Sequence, residues 1–241
     1  MILKDISLDS PEANILLDEA LFLNAEKHEG PEVLRFWESK SVFIVLGRIG
    51  KEYDDLVIPQ VLKERIPVVR RTSGGGTVVQ GPGCLNYTLV IDKNREKQLT
   101  DLRLSYQWIS QKIIGALKQQ GINAVFRPIS DIAIFDTDKK FSGNAQRRGK
   151  NFILHHGTIL YDFDLNTVFR LLQMPKDMPE YRRKREHSEF ISNIPIDPQK
   201  FKKDLQDLFC VTDDQSALTP LESSLLTYQL EKFPFSVDIH P

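Results

Sequence analysis

Residues 124–161 read AVFRPISDIAIFDTDKKFSGNAQRRGKNFILHHGTILY. The apolar residues fall in four short runs, Ala124–Arg127, Asp131–Phe135, Lys140–Gln146 and Phe152–Tyr161. Each has strand length and β-rich composition, and the breaks between them are polar. No helix-length period separates them, so the strands come in quick succession. Working outward, Asn86–Asp92 alternates with Tyr87, Leu89 and Ile91 on one face. Leu102–Gln120 is a helix, with Leu104, Trp108, Ile109, Ile113 and Leu117 as its apolar stripe. Ser10-Pro11-Glu12 starts an earlier helix, with Ser10 as N-cap, running to about Lys27. Val33–Trp37 and Val42–Leu46 read as a hairpin around Glu38-Ser39-Lys40. Pro59–Arg65 is a short helix and Pro67–Arg71 a short strand. Asp164–Leu172 is a helix with Asp164 as its cap, Pro175–Ser192 a basic loop, and Pro198–Phe209 and Leu221–Lys232 two closing helices. Strands broken by helices without strict alternation give an α+β class on a mixed or antiparallel sheet.

Composition bounds the function. The 241 residues carry 32 basic and 33 acidic side chains, for a net charge of -1. That argues against a nucleic-acid binder. No apolar run reaches the roughly 18 residues of a membrane span, and the first residues do not read as a targeting signal. The expected setting is cytoplasmic and reducing. Two cysteines without a CxxC partner exclude a disulfide framework or a cysteine-rich zinc site.

Four segments carry chemistry. Arg70-Arg71-Thr72-Ser73-Gly74-Gly75-Gly76-Thr77 joins two cations to a glycine triplet that lets main-chain N–H groups approach an anion. It is neither a P-loop nor GxGxxG. A flexible turn with surface arginines is an equally good account of the triplet alone. Lys140-Phe141-Ser142-Gly143-Asn144-Ala145 would set Lys140 and Ser142 on one strand face, with Gly143 allowing close approach. His155-His156-Gly157-Thr158 lies in an apolar strand, so the two rings point to opposite faces and cannot share a metal. One of them is expected to face a pocket. Asp131 opens a strand and is a metal candidate only beside a nucleotide phosphate. The basic runs Arg147, Arg148, Lys150 and Arg182–Arg185 read as solvated faces, or as docking sites for an acidic partner protein.

Together these segments resemble the biotin/lipoate protein ligase superfamily, in its lipoate–protein ligase A branch. Arg70–Val79 is similar to that family's Arg-Arg-x-Ser-Gly-Gly-Gly-Ala-Val, Lys140–Ala145 to its Lys-hydrophobic-Ser-Gly-Ser/Asn-Ala, and His155–Leu160 to its His-His-Gly-Thr-Leu-Leu. Asn14, Glu19, Phe36-Trp37 and Gly47-Arg48 also fit. The resemblance covers residues 1–195 as a class II ligase-like catalytic domain and leaves 196–241 as a helical extension packed on it.

The resemblance implies two half-reactions. Lipoate and MgATP give lipoyl-AMP, and the acyl group then passes to a lysine of a lipoyl-carrier domain. Such carriers are the E2 subunits of 2-oxoacid dehydrogenases or the H protein of glycine cleavage. It implies Lys140 as the catalytic residue. Arg70, Arg71, Ser73, Gly74, Gly75, Gly76, Thr77, Asn86, Ser142, Gly143, Asn144, His156, Gly157 and Thr158 would line the lipoyl and AMP site, with Asp131 meeting Mg²⁺. Relatives that work through an acyl-cysteine carry it three residues before the motif histidine, here Ile153, or near Asp131, where this chain has Ile129-Ser130-Asp131-Ile132. Cys84 is then the thiol a cysteine-dependent octanoyl or lipoyl transferase would need, or else a small pocket-lining residue. Cys210 is expected in the core. A relative that only binds lipoate or lipoyl-AMP is the non-enzymatic alternative, and a biotin ligase lacks support because its glycine-arginine-rich loop is missing. Two departures stand out: Gln80 follows the glycine loop where many relatives have histidine, and the second domain of two-domain ligases has no counterpart here. Either adenylation needs a separate accessory domain as partner, or the short helical extension does that job, or the chain only transfers from lipoyl-AMP supplied to it.

Overall fold

The computed structural model describes residues 1–28, 30–232, 237, 239 and 240. Its elements, in chain order, are β1 (Ile2–Asp5), α1 (Pro11–His28), β2 (Val33–Trp37), β3 (Phe43–Leu46), α2 (Glu52–Asp55), α3 (Ile58–Glu64), β4 (Val68–Arg70), β5 (Val78–Gln80) and β6 (Cys84–Asp92). There follow α4 (Leu102–Lys118), β7 (Ala124–Arg127), β8 (Asp131–Ile134), β9 (Lys140–Arg148), β10 (Phe152–Leu160), α5 (Asn166–Leu171), α6 (His187–Phe190), α7 (Pro198–Phe209), β11 (Asp213–Asp214) and α8 (Pro220–Lys232).

The four strand runs quoted first form an antiparallel meander, β7-β8-β9-β10, and β10 continues antiparallel onto β6. The full sheet has eight strands in the order β11-β1-β2-β6-β10-β9-β8-β7. It is mixed because β1 runs parallel to both β2 and β11. A second sheet, β4-β3-β5, lies apart from it. The α+β expectation holds.

Alternation along the strands builds two cores. Leu34, Phe36, Tyr87, Leu89, Ile91, Ile153 and Ile159 face α4 and α7 and meet Ile109, Ile113, Leu117, Phe201, Leu205 and Phe209. Val33, Trp37, Val90 and Leu154 face the other way, onto Leu16, Leu17, Ala20 and Leu21 of α1. Fully buried leucines and phenylalanines contribute about 1.5–3 kcal/mol each by leaving water. Caps fix the helix starts as their sequences require. Ser10 Oγ accepts from Ala13 N at 3.0 Å, and Asp101 Oδ1 from Leu104 N at 2.8 Å. Beyond residue 195, α7 packs on α4, β11 extends the large sheet and α8 packs on α1. No helix among the described residues is long and apolar enough to cross a membrane.

Three local expectations are corrected. β2 and β3 are not a hairpin: β2 sits between β1 and β6, and β3 between β4 and β5. Every residue of both strands is buried, so each takes an interior position with a partner on both sides. Leu104 leaves the α4 stripe and is 47% exposed. Cys210 is an exposed left-handed residue that ends α7, where the chain must reverse, and is not in the core.

Candidate active site

A cavity of about 360 Å³ opens where the face of the large sheet meets α1, the small sheet and residues 172–191. The glycine loop forms one wall. Gly75 has φ +88°, and its carbonyl lies where a Cβ on Gly47 would stand, 2.0 Å away. Both positions therefore need glycine, one for its dihedral and one for backbone contact. Arg71 holds the loop from inside. Its guanidinium donates to Gly74 O at 2.7 Å, Gly76 O at 2.8 Å and Ser73 Oγ at 3.1 Å. Burial lowers its pKa to about 10. Arg70 is directed elsewhere, donating to Gly47 O and Gly50 O and pairing with Glu52. It does not line the cavity.

The opposite wall comes from β8 and β9. Lys140 Nζ lies 2.8 Å from Asp131 Oδ1, with the side chains 27% and 11% exposed. Strict alternation would have set Lys140 beside Ser142. A register shift between Ile132 and Ala133 breaks it, and the ammonium lies over Gly143, 2.9 Å from where a Cβ there would stand. Asp131 Oδ2 accepts from Tyr181 Oη at 2.6 Å. Burial first, then the Asp131 charge, push the Tyr181 phenol up.

His155 and His156 divide as strand geometry requires. His155 is wholly buried under Tyr106, and burial, then the neighbouring His156, lower its pKa to about 3. His156 reaches the cavity, its Nε2 2.6 Å from Ser73 Oγ and its Nδ1 3.4 Å from Asp18 Oδ2. Asp18 is buried. Burial alone would raise its carboxyl, but the Arg35 charge and the His156 contact bring it below the ordinary value. Arg35 Nη1 donates to Asp18 Oδ1 at 2.6 Å. Glu19 bonds both Thr72 and Arg147, so α1 ties the glycine loop to β9.

Of the expected site residues, Gly75, Gly76, Thr77, Asn86, Asp131, Lys140, Ser142, Gly143, Asn144, His156, Gly157 and Thr158 line this cavity, as does Arg71. Gly74 and Ser73 do not; Gly74 is exposed, and Ser73 is buried behind the loop. Asn144 bonds Tyr87 Oη and Ser130 O, which secures the turn before Asp131. Sequence reading passed over Asp18, Asp55, Trp37, Tyr181 and Arg182. Arg182 was hidden in a basic run, yet it is only 4% exposed and lines the cavity. Its neighbour Arg185 donates to Thr137 O and Asp138 O, while Arg148 reaches Leu99 O. These arginines brace the fold rather than forming a free basic face. Asp18 did carry a signal, an acid inside the apolar face of α1.

Sulfur is missing from the cavity wall among the described residues. Cys84 does not line the cavity; it is wholly buried in the apolar cluster that shares Val79, Val168 and Leu172 with the wall, and burial raises its thiol well above the ordinary range. Ile153 is in the core beneath α4. Nor do the described residues hold a group of three or more His, Cys, Asp or Glu side chains able to bind a metal. Mg²⁺ bound with phosphate oxygens needs only one or two protein carboxylates, and Asp131 fits that requirement.

The model of the lipoyl protein ligase A/B catalytic domain matches residues 10–209. The chain is 30% identical to a probable lipoate-protein ligase A of Mycoplasma pneumoniae, over 69% of this chain and 47% of that one. It is 29% identical to an octanoyltransferase, LipM, of Oceanobacillus iheyensis, over 75% and 71% respectively. It thus spans about half the length of the curated ligases it matches. Its fold is similar to that of a bi-partite lipoate protein ligase from Thermoplasma acidophilum, described with its E2 lipoyl domain. The TM-score is 0.81 at 20% identity, over 96% of this chain and 91% of that one.

Proposed function

We propose that this chain, which belongs to the lipoyl protein ligase A/B catalytic-domain family, joins lipoate to a lysine of a lipoyl-carrier domain through an acyl adenylate. The observation that carries the reading is the cavity's composition: one lysine ammonium and a main-chain glycine loop on a shared hollow, with no thiol on its wall. An acyl-cysteine route needs a reachable thiolate. Cys84 is enclosed and its ionisation is opposed by burial. An acyl adenylate needs no protein nucleophile, because the carrier's lysine is the nucleophile.

In the first step a lipoate carboxylate oxygen attacks the α-phosphorus of ATP and pyrophosphate leaves. Lys140 neutralises the charge gathering on carboxylate and phosphate oxygens. The Gly75–Thr77 backbone cradles the ligand, held in shape by Arg71. Asp131 would hold Mg²⁺, which supplies further charge neutralisation on the phosphates. In the second step the carrier's neutral amine attacks the acyl carbon, AMP leaves with the C–O electron pair, and the nitrogen loses its proton. Lys140 stabilises the oxygen of the tetrahedral centre. Positioning and charge account for both steps. The carrier is a lipoyl domain of the kind named for the archaeal structure.

The test weighs a lipoyl domain after incubation with the chain. Two donors are compared, lipoate with MgATP and preformed lipoyl-AMP. A mass increase of one lipoyl group with either donor, lost in Lys140→Ala, is expected. Transfer from lipoyl-AMP alone would confine the chain to the second step and call for the accessory domain. Transfer from an octanoyl carrier that stops in Cys84→Ala would replace the reading with the cysteine-dependent one.

A further inference from the structure

The far wall of the cavity carries a polar chain that this reaction leaves unused. Asn86 Nδ2 donates to the Cys84 carbonyl at 3.2 Å, and a carbonyl can only accept. That contact decides which way the Asn86 carboxamide is turned. Its Oδ1 accepts the Thr158 hydroxyl at 2.6 Å, and the hydroxyl oxygen accepts from Gln80 Nε2 at 2.7 Å. One backbone carbonyl thus orients three side chains in series. The atom left at the end is Gln80 Oε1, an acceptor. It is buried and has no hydrogen-bond partner among the described residues, and Gln80 lines the cavity while only 4% exposed. Trp37 lines the same cavity at 3% exposure, and its indole Nε1, which can only donate, is also unpartnered.

Trp37, Asn86 and Thr158 share one row of the large sheet, and Gln80, on β5 of the small sheet, joins it through Thr158. Trp37 is the register partner of Asn86, Asn86 of Thr158, and Thr158 of Gly143, over which Lys140 lies. Three strand spacings separate Gly143 from Trp37, about 14 Å. An acyl group whose carboxyl end meets Lys140 can therefore lay its tail along Thr158 and Asn86 toward the two orphans. A saturated alkyl tail supplies neither a donor nor an acceptor there, and leaves both atoms dry. The sulfur of a cyclic disulfide accepts weakly and does not donate. A thiol does both, weakly.

We propose that Gln80 Oε1, oriented by the Thr158–Asn86–Cys84 chain, and Trp37 Nε1 select the acyl tail by its sulfur: the acceptor ranks the reduced dithiol above the cyclic disulfide, and the donor ranks both above plain octanoyl. This deepens the lipoate reading of the cavity and rests on it. The experiment is calorimetric binding of octanoate, lipoate and dihydrolipoate to the full chain, under argon and without ATP. Dihydrolipoate is expected to bind on the order of tenfold tighter than octanoate, the scale of one buried acceptor gaining or losing its partner. In Gln80→Leu the gap between dithiol and cyclic disulfide closes to about twofold, while both stay ahead of octanoate through Trp37 Nε1. Thr158→Val, which frees the Gln80 amide to turn over, narrows only the gap between dithiol and cyclic disulfide. Melting curves confirm that each variant is folded, and the Thr158 variant carries the test if the Gln80 variant is not. Equal wild-type affinities for the three acids overturn the selectivity and leave the ligase reading standing. An unchanged ranking in both variants overturns the role of Gln80, and no binding of any acid overturns both proposals.

Discussion

Lys4 and Lys140 each contact a carboxylate at 2.8 Å, and the resemblance ends there. Lys4 on β1 pairs with Glu222 on α8 with side-chain exposures of 0% and 2%. Its Nζ also donates to Ala217 O, and Glu222 Oε2 accepts from Thr219 N. Glu222 Oε2 is shared between Lys4 and Thr219, and the pair fastens α8 to the large sheet. Lys140 meets Asp131 on a cavity wall, with 27% and 11% exposure and open space beside it. Its ammonium can exchange one oxygen partner for another without leaving a buried charge uncovered. One bond length thus serves structure in the first case and chemistry in the second, because enclosure decides whether a charge can change partners.

The comparison breaks most easily at the enclosed pair. Lys4→Ala leaves Glu222 buried and uncompensated, so denaturant unfolding should show a loss of about 3–5 kcal/mol. Transfer activity per folded molecule should stay at the wild-type level. Lys140→Ala should do the reverse. Its stability should change by about 1 kcal/mol or less, while lipoyl transfer to a carrier domain falls by roughly 10²–10³-fold. If Lys140→Ala unfolded the chain and Lys4→Ala were merely inactive, the assignment of roles would be inverted.

The adjacent histidines sharpen the same contrast. His155 in the folded chain takes up its proton near 3, against the ordinary 6.5. Between those values the unfolded chain binds more protons, so stability is fully present above about pH 6.5 and declines as pH falls toward 3. The slope from this group is about 1.4 kcal/mol per pH unit. His155→Gln should flatten that acid limb in chemical denaturation at pH 6.5 and 5. An unchanged slope would remove His155 from the enclosed set. The smallest effect belongs to Cys84→Ala, which should leave the transfer rate within about twofold, because the thiol is outside the cavity and protonated. A loss of activity there would move Cys84 from the enclosed set to the reacting one.

Legibility in the sequence followed the range of the interaction. The four strand runs between Ala124 and Leu160 and the helices with clear period were readable, since patterning and caps are local signals; their pairing as a meander was not. The β2–β3 hairpin was misread because an apolar run buried on both faces looks the same whichever sheet receives it. The Arg182–Arg185 run looked like a solvated face. Arg183 and Lys184 are exposed as read, but Arg182 reaches Met174 and Arg185 reaches Thr137 and Asp138, contacts that no charge count reveals. Within the glycine motif, two adjacent arginines read alike. Tertiary structure gave one to the loop and sent the other to Glu52.

The sequence by itself determined the α+β class, the glycine loop, the lysine and histidine motifs, and the family to which they belong. Those are properties of residue type, order and short spacing. Only the tertiary structure decided that Lys140 faces open space while Lys4 is sealed, and that Cys84 lies outside the cavity. It also decided that Gln80 lines the cavity with its amide held by a chain of contacts from Gln80 to Thr158 to Asn86. Burial and hydrogen-bond direction depend on which distant segments meet. Lys4 and Glu222 stand 218 positions apart, and no local pattern records that they touch.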